Sequence, residues 1–454
     1  MPSDRYFRNK AIDKASSSGK SSSTEKRQEE LFENGKACTA LARRYFQICL
    51  DFYEDNSTNK RRSSSKSSSL SSQLGSLYKG ALGPRVYLRL LMAQHLQKQQ
   101  QSPSLDDQKE IASLLQTALT LAQQVVQETE TQKPQQRVTL LTGPYVGAKA
   151  LLAALHQALG DAASAQQHAN ELIGFLQTHT ATMHSRECEV LYGRAGAIQA
   201  ILFLRQQLHD TQLGSSVVVA LAQAIVQEGI QTAAKHNQLP LLWEWHESHY
   251  LGAAHGVVGI LHTLLCLTPS ERQQLPHATN NNLIPQTIHA LNSLCWPESG
   301  NLRSSIGSTH DKLVHWCHGA PGHVLLLAKA HQVFGGTNYL EQAQTLANTV
   351  IWPRGLLRKG VGLCHGISGN AYCFLAVLQH ASRTAEADDW RRRACYFAAF
   401  GIEHWDELHH VPDQPYSVHV GAGGLALLLM DLGTLASSSS NHNTEATRFP
   451  LYDF

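Results

Sequence analysis

His315-Trp316-Cys317-His318-Gly319-Ala320-Pro321-Gly322 and Gly362-Leu363-Cys364-His365-Gly366-Ile367-Ser368-Gly369 are two copies of one pattern. Each has a Cys-His pair, then two glycines three residues apart, then an apolar helix. The glycine pair recurs at Gly80 and Gly83, Gly193 and Gly196, Gly256 and Gly259, and Gly421 and Gly424, with a looser copy at Gly143 and Gly147, making seven in all. Successive copies lie about 45 to 65 residues apart, room for two helices and their connections. Glycine costs about 1 kcal/mol in a helix interior, so its return at the same point of each repeat predicts close backbone approach there.

The segments after the glycine pairs are apolar nearly all round, as in Val324 to Ala330 and Leu425 to Leu429, which predicts buried helices. Between them lie amphipathic stretches such as Leu114 to Gln127, Ala163 to Thr178, Val217 to His236, Leu340 to Ile351 and Trp390 to Trp405, with apolar residues every three or four positions. Few segments alternate with period two. The reading is an all-α chain, a double-layered α/α toroid (barrel) of about seven helical-hairpin repeats, forming a single domain over residues 1–454. The inner helices would start around one end.

Three Ser-rich stretches, 15–27, 55–75 and 434–446, break this pattern and are expected to be disordered, because they carry too little apolar surface to order themselves. Lys60-Arg61-Arg62 in the second reads as a solvated insertion. Lys and Arg total 38 against 36 Asp and Glu, a balance that gives no support for a nucleic-acid partner. No run of about 18 consecutive apolar residues and no secretory leader is evident. Nine cysteines, odd in number and scattered, do not form a disulfide framework, so a cytoplasmic protein is expected.

In a shared repeat geometry the residue before each first glycine occupies one place on the rim. Those residues are Lys79, Thr142, Tyr192, His255, His318, His365 and Val420. Three successive histidines predict a polar centre. Cys317 and Cys364, one residue earlier, add thiols, and thiolate with imidazole is a donor set that zinc prefers. An isolated Cys-His pair is ordinarily buried packing, but here the pair is repeated. Both cysteines with one histidine would leave a fourth position open, as in catalytic rather than structural zinc sites. Spacing does not choose between His318 and His365. An open zinc position can lower the pKa of a bound thiol, or of water, and His255, with no adjacent cysteine, suits proton transfer.

At these residues the chain resembles the eukaryotic LanC-like (lanthionine synthetase C-like) proteins. The resemblance rests on Glu189-Val-Leu-Tyr-Gly-Arg-Ala-Gly196, Tyr250-Leu-Gly-Ala-Ala-His-Gly256, the two Cys-His-Gly segments, Gly355-Leu-Leu-Arg-Lys-Gly360 and the Arg448-Phe-Pro end. It implies an α/α toroid with zinc on Cys317, Cys364 and His365. It also implies glutathione as ligand or co-substrate, added by Michael addition to dehydroalanine or dehydrobutyrine in peptides to give thioethers, so that the protein is a zinc-dependent glutathione transferase. His255 matches the family's catalytic histidine. Lys359 and Arg5, the latter in Arg5-Tyr6-Phe7-Arg8-Asn9, match glutathione-binding positions.

Departures from the family pattern are Pro144 where many members carry a catalytic Asp, His419-Val420-Gly421 for Phe-Glu-Gly, and His410 for an arginine before Pro412-Asp413. The competing reading is therefore a non-catalytic zinc- and glutathione-binding adaptor in redox or signalling work, with room for peripheral association at the plasma membrane or with signalling proteins. Zinc-assisted hydrolysis ranks below both, since no carboxylate pair or His-Glu-x-x-His helix accompanies the cysteines.

Overall fold

The structure is a computed structural model and describes residues 5–13, 22–63, 75–99, 104–131, 137–275, 282–437 and 447–454. Among the described residues, regular structure is helical, and antiparallel pairing is limited to isolated bridges. The segments after the glycine pairs form the inner ring: Leu88–Gln99, entered through a π turn at Gly83–Tyr87, then Pro144–Ala158, Arg194–Leu208, Val257–Leu265, Ala320–Phe334, Ile367–Leu378 and Ala422–Ser437. Each packs on the next, and the last packs on the first. The expected α/α toroid of seven hairpins is what forms.

Burial separates the layers. Every residue of Ile367–Leu378 and of Val257–Leu265 is buried. The outer Ala162–Thr180 buries only Ala165, Ala169, Leu172, Leu176 and Thr180, one stripe at three- and four-residue spacing. Each fully buried Leu, Ile, Val or Phe of the inner ring contributes about 1.5–3 kcal/mol, so inner-helix burial is the main source of cohesion. The outer Gly35–Ser63 packs along Ala422–Ser437 and closes the circle. The outer Ser215–His236 is long and apolar enough to cross a bilayer by length and composition, although no continuous apolar run was evident in the sequence. Its most apolar window is 56% buried against the protein, as for a core helix.

The glycine pairs act where expected, for a specific reason. A Cβ on Gly259 would overlap the carbonyl oxygen of Ala253, and one on Gly369 that of Leu363. In both cases the obstacle is six residues back, so the second glycine lets the chain fold tightly before the helix begins. At Gly319 the backbone also takes a φ of +114°, open to glycine but strained for other residues.

The pre-glycine turns bond to one another around the rim. Tyr78 N donates to Leu141 O (2.9 Å), Leu140 N to Gly196 O (3.2 Å), Val190 N to Ala254 O (3.2 Å), Cys317 N to Cys364 O (3.3 Å) and Cys364 N to His419 O (2.6 Å). Inside the ring, the carboxyl-terminal segment fills the centre. Phe449 stacks on Trp316 at 5.5 Å, Tyr452 meets the same ring edge-on at 5.1 Å, and Lys329 Nζ holds Asp453 at 2.8 Å.

The Ser-rich expectation needs correction at its edges. Residues 22–27 open the helix Ser23–Glu33 through a capping box of Ser22 with Glu25, residues 55–63 continue Gly35–Ser63, and 434–437 end Ala422–Ser437. Serine composition alone missed the cap, a local arrangement in which the serine hydroxyl meets an unpaired helix amide. The rest of those segments, 15–21, 64–74 and 438–446, lies outside the described residues.

Candidate functional site

The turn 315–318 is closed by His315 N to His318 O (2.9 Å) and His318 N to His315 O (3.2 Å), which presents Cys317 at the rim. The neighbouring turn presents Cys364 and His365, fixed by Ile367 N to Gly360 O (3.0 Å) and Gly369 N to Gly362 O (3.2 Å). Asn301 Oδ1 accepts from Ala320 N at 2.8 Å and supports the start of the helix behind Cys317. As a result the Sγ atoms of Cys317 and Cys364 and a ring nitrogen of His365 lie within 4.8 Å of one another.

Both cysteines are buried, and burial works most strongly against a Cys364 thiolate. Hydrogen bonds from Cys317, His365 and Tyr78 outweigh it and hold the Cys364 thiol well below its ordinary value. Cys317, as the donor to Cys364, is pushed up. Tyr78 Oη donates to Cys364 Sγ at 2.7 Å. Two sulfurs and an imidazole, converging with one sulfur already favouring the anion, fit a zinc ion by donor chemistry. His318 does not join this group. It faces Tyr250, ring centroids 5.7 Å apart, with Nδ1 buried and unpartnered.

His255 stands on the same rim in a different setting. Its Nδ1 lies 2.8 Å from Glu189 Oε2, a carboxylate that also accepts the backbone amides of Leu191 (2.8 Å) and Tyr192. Trp245 stacks flat on the imidazole at 3.9 Å and 3°. Burial pushes the Glu189 carboxyl up, while His255 and the two amides pull it back. His318 lies between the two groups, close enough for Cys364 and His255 both to act on its charge.

Arg5 and Lys359 come together. Phe7 N donates to Leu356 O (2.7 Å), Arg358 N to Arg5 O (2.9 Å), and Asn9 Nδ2 to Trp352 O (2.8 Å), so residues 5–9 run along the loop that carries Lys359. Phe7 is buried against Phe400 at 5.1 Å, while Arg5 and Lys359 are exposed. Burial foremost, then the nearby charges of His365, His318, Lys359 and Arg5, drive the His315 ring to its neutral form. The two cations therefore stand beside the thiol cluster. The Pro412 turn packs on Gly360, next to Lys359.

At the expected acid position Pro144 begins an inner helix, and the preceding Thr142 hydroxyl donates to Leu191 O at 2.5 Å. His419 is fully buried with both ring nitrogens unpartnered, and burial pushes it down to about 4. Glu189, Tyr78 and Trp245 were not singled out from the sequence. Aligning the repeats two residues before the first glycine, rather than one, places Tyr78, Cys317, Cys364 and His419 in one column. These four come from cyclically adjacent repeats, a pattern that would have found Tyr78.

Residues 71–441 match the family described as lanthionine synthetase C-like protein. The chain belongs to that family. Among curated LanC-like relatives, "Glutathione S-transferase LANCL1" of Danio rerio is 36% identical over 248 residues, 54% of this chain and 58% of that protein. "LanC-like protein GCL1" of Arabidopsis thaliana is 34% identical over 244 residues, 54% of each chain. The matched stretch thus spans little more than half the length of either relative. The solved structure of "Nisin cyclase" superposes with a TM-score of 0.57 at 15% identity, over 91% of this chain and 98% of that one, a likeness of fold.

Proposed function

We propose that this LanC-like chain binds glutathione and adds its thiol to dehydroalanine or dehydrobutyrine residues of peptides, with zinc held by Cys317, Cys364 and His365. The observation that carries the reading is the placement of that thiol-imidazole cluster on one rim with the His255–Glu189 pair. The relative named as a glutathione S-transferase and the fold shared with a cyclase support it. Zinc there would supply Lewis acidity that favours the thiolate of a bound thiol at neutral pH.

The rest is the work of the chain's own residues. Arg5 and Lys359 offer positive charge to the glutathione carboxylates, Arg5 with a bidentate fork. Glu189 accepts from His255 Nδ1 and so leaves Nε2 as the atom that exchanges a proton. In the addition the thiol gives up its proton to His255 Nε2, the sulfur bonds the β-carbon, the alkene electron pair moves to the α-carbon, and His255 returns that proton to the α-carbon. No oxidant or reductant is needed. Trp245, flat against the imidazole, holds its orientation.

The test is mass-spectrometric. Zinc-loaded protein, glutathione and a dehydroalanine peptide should give the glutathione adduct. No adduct under conditions where a related active protein forms one would reject the activity. Pro144, where many members of the family carry an acid, favours the second reading, a zinc- and glutathione-binding protein without turnover. Retained binding with no adduct, and adduct formation restored by Pro144→Asp, would establish that alternative.

A further inference from the structure

Another set of metal-type donors lies outside the cysteine cluster. Trp245 and Ser248 pair reciprocally, Trp245 N to Ser248 O at 2.9 Å and Ser248 N to Trp245 O at 3.1 Å, closing a tight hairpin. Its next residues outward, Glu244 and His249, face each other, and the end of the helix Ser215–His236 adds His236. The ligating atoms of His236, Glu244 and His249 all lie within 4.8 Å of one another. The two imidazoles stand 4.3 Å apart at 63°. His249 Nε2 is buried and has no hydrogen-bond partner.

We propose that His236, Glu244 and His249 form a second site for a divalent transition-metal ion, separate from Cys317, Cys364 and His365, and that the ion ties the Trp245 hairpin to the end of Ser215–His236. Two imidazoles and a carboxylate are a donor set used for zinc and its neighbours, with metal–donor bonds of about 2.0–2.2 Å. The exposed His236 can turn to close the remaining distance. Arg186 Nη1 engages only Oε1 of Glu244, at 2.6 Å, so the second carboxylate oxygen can serve. The carboxyl-terminal end of a helix, where His236 lies, favours positive charge. Because Trp245 stacks on His255, the ion would fix a neighbour of the proton-transfer histidine without touching it.

A third group, His262, Cys266 and Asp453, is equally close, but Lys329 Nζ lies 2.8 Å from Asp453 and already supplies the counter-charge. It serves as the internal control.

The experiment titrates full-length apoprotein with Co2+, which reports thiolate ligands by a charge-transfer band that imidazole and carboxylate ligands do not give. Wild type should take one ion with that band and one without. His236→Ala/His249→Ala should lose only the ion without the band. Cys317→Ser/Cys364→Ser should lose only the ion with the band. Arg186→Ala, which frees Glu244, should tighten the second ion, a gain that misfolding cannot imitate. The proposal is overturned if the histidine variant binds as many ions as wild type, or if Arg186→Ala leaves affinity unchanged or weaker. Both readings are independent of peptide modification, so failure of the transferase activity leaves this result interpretable.

Discussion

Glu189, in the repeat before His255, sets its Oε2 2.8 Å from His255 Nδ1 while two backbone amides fix the carboxylate from behind. The pair should act as a unit. His255→Ala is expected to lower kcat for glutathione addition by about 10²–10⁴-fold, the ordinary range for a general acid–base. Glu189→Gln keeps shape but loses charge, and should fall between that variant and wild type. With both changes the loss should be no greater than for His255→Ala alone, since partners in one unit are non-additive. Steady-state kinetics on the double cycle decides, and additive losses would dissociate Glu189 from His255.

The glycine pairs give a paired stability test. Gly369→Ala forces a Cβ into the Leu363 carbonyl, so the start of the helix behind His365 must shift. Gly174, exposed on the outer Ala162–Thr180, has nothing within 4 Å of a built Cβ. Gly174→Ala should therefore stabilise by about 0.4–1 kcal/mol through the unfolded chain. Gly369→Ala should destabilise by more than that gain and weaken metal binding, read by urea denaturation with metal analysis. Equal effects at the two positions would contradict close packing as the reason for the motif.

Repeats made most of this fold legible. Glycine pairs and all-round apolar segments marked the inner helices because both features are local in sequence and serve the same packing need seven times. Cys317 and Cys364 stood out for the same reason, as a repeated motif, whereas the motif left His318 and His365 equivalent and only the resemblance preferred His365. Tyr78 shows only in the column two residues before the first glycine, and Glu189 and Trp245 do not show at all, because their contacts with His255 are set by how the rim loops fold. Arg5 is intermediate: the sequence names it, but only the pairing of 5–9 with 352–358 explains its place, since Phe7 and Asn9 anchor the segment and leave Arg5 outward. The amino-terminal cap at Ser22 was hidden inside a composition that reads as disorder.

Asp431 gives a pH prediction with a definite sign. It is half-buried, and that burial pushes its carboxyl up to about 8 although Tyr372 donates to it at 2.6 Å. The folded state therefore holds a proton that the unfolded chain, with an ordinary Asp value near 3.9, releases. Stability from this group is fully present at low pH and is lost as pH rises toward and through about 8. Asp431→Asn keeps an amide for Tyr372 and removes the titration. Between pH 5 and 8.5, wild type should lose on the order of a few kcal/mol more than Asp431→Asn. Denaturant midpoints at the two pH values measure this, and parallel pH profiles would show that Asp431 ionises freely in the fold.

The cysteine pair separates zinc binding from catalysis. Cys317 and Cys364 lie on two turns joined by the 3.3 Å bond from Cys317 N to Cys364 O, so neither donor can withdraw without disturbing the other. Cys317→Ala or Cys364→Ala should remove the thiolate-bound zinc, measured by elemental analysis after dialysis. Tyr78→Phe should retain it with affinity reduced by about 10–100-fold, the usual effect of removing a hydrogen bond to a ligand. Zinc at a hundredfold excess over its dissociation constant should stabilise wild type by about 2.7 kcal/mol. With the second donor set removed by His236→Ala/His249→Ala, a chelator should therefore lower Tm when the cysteines are intact and in Tyr78→Phe, but leave the cysteine variants unmoved. A Tm insensitive to chelation in every variant would mean that the two thiols are packing residues, and the proposed chemistry at this rim would lose its metal.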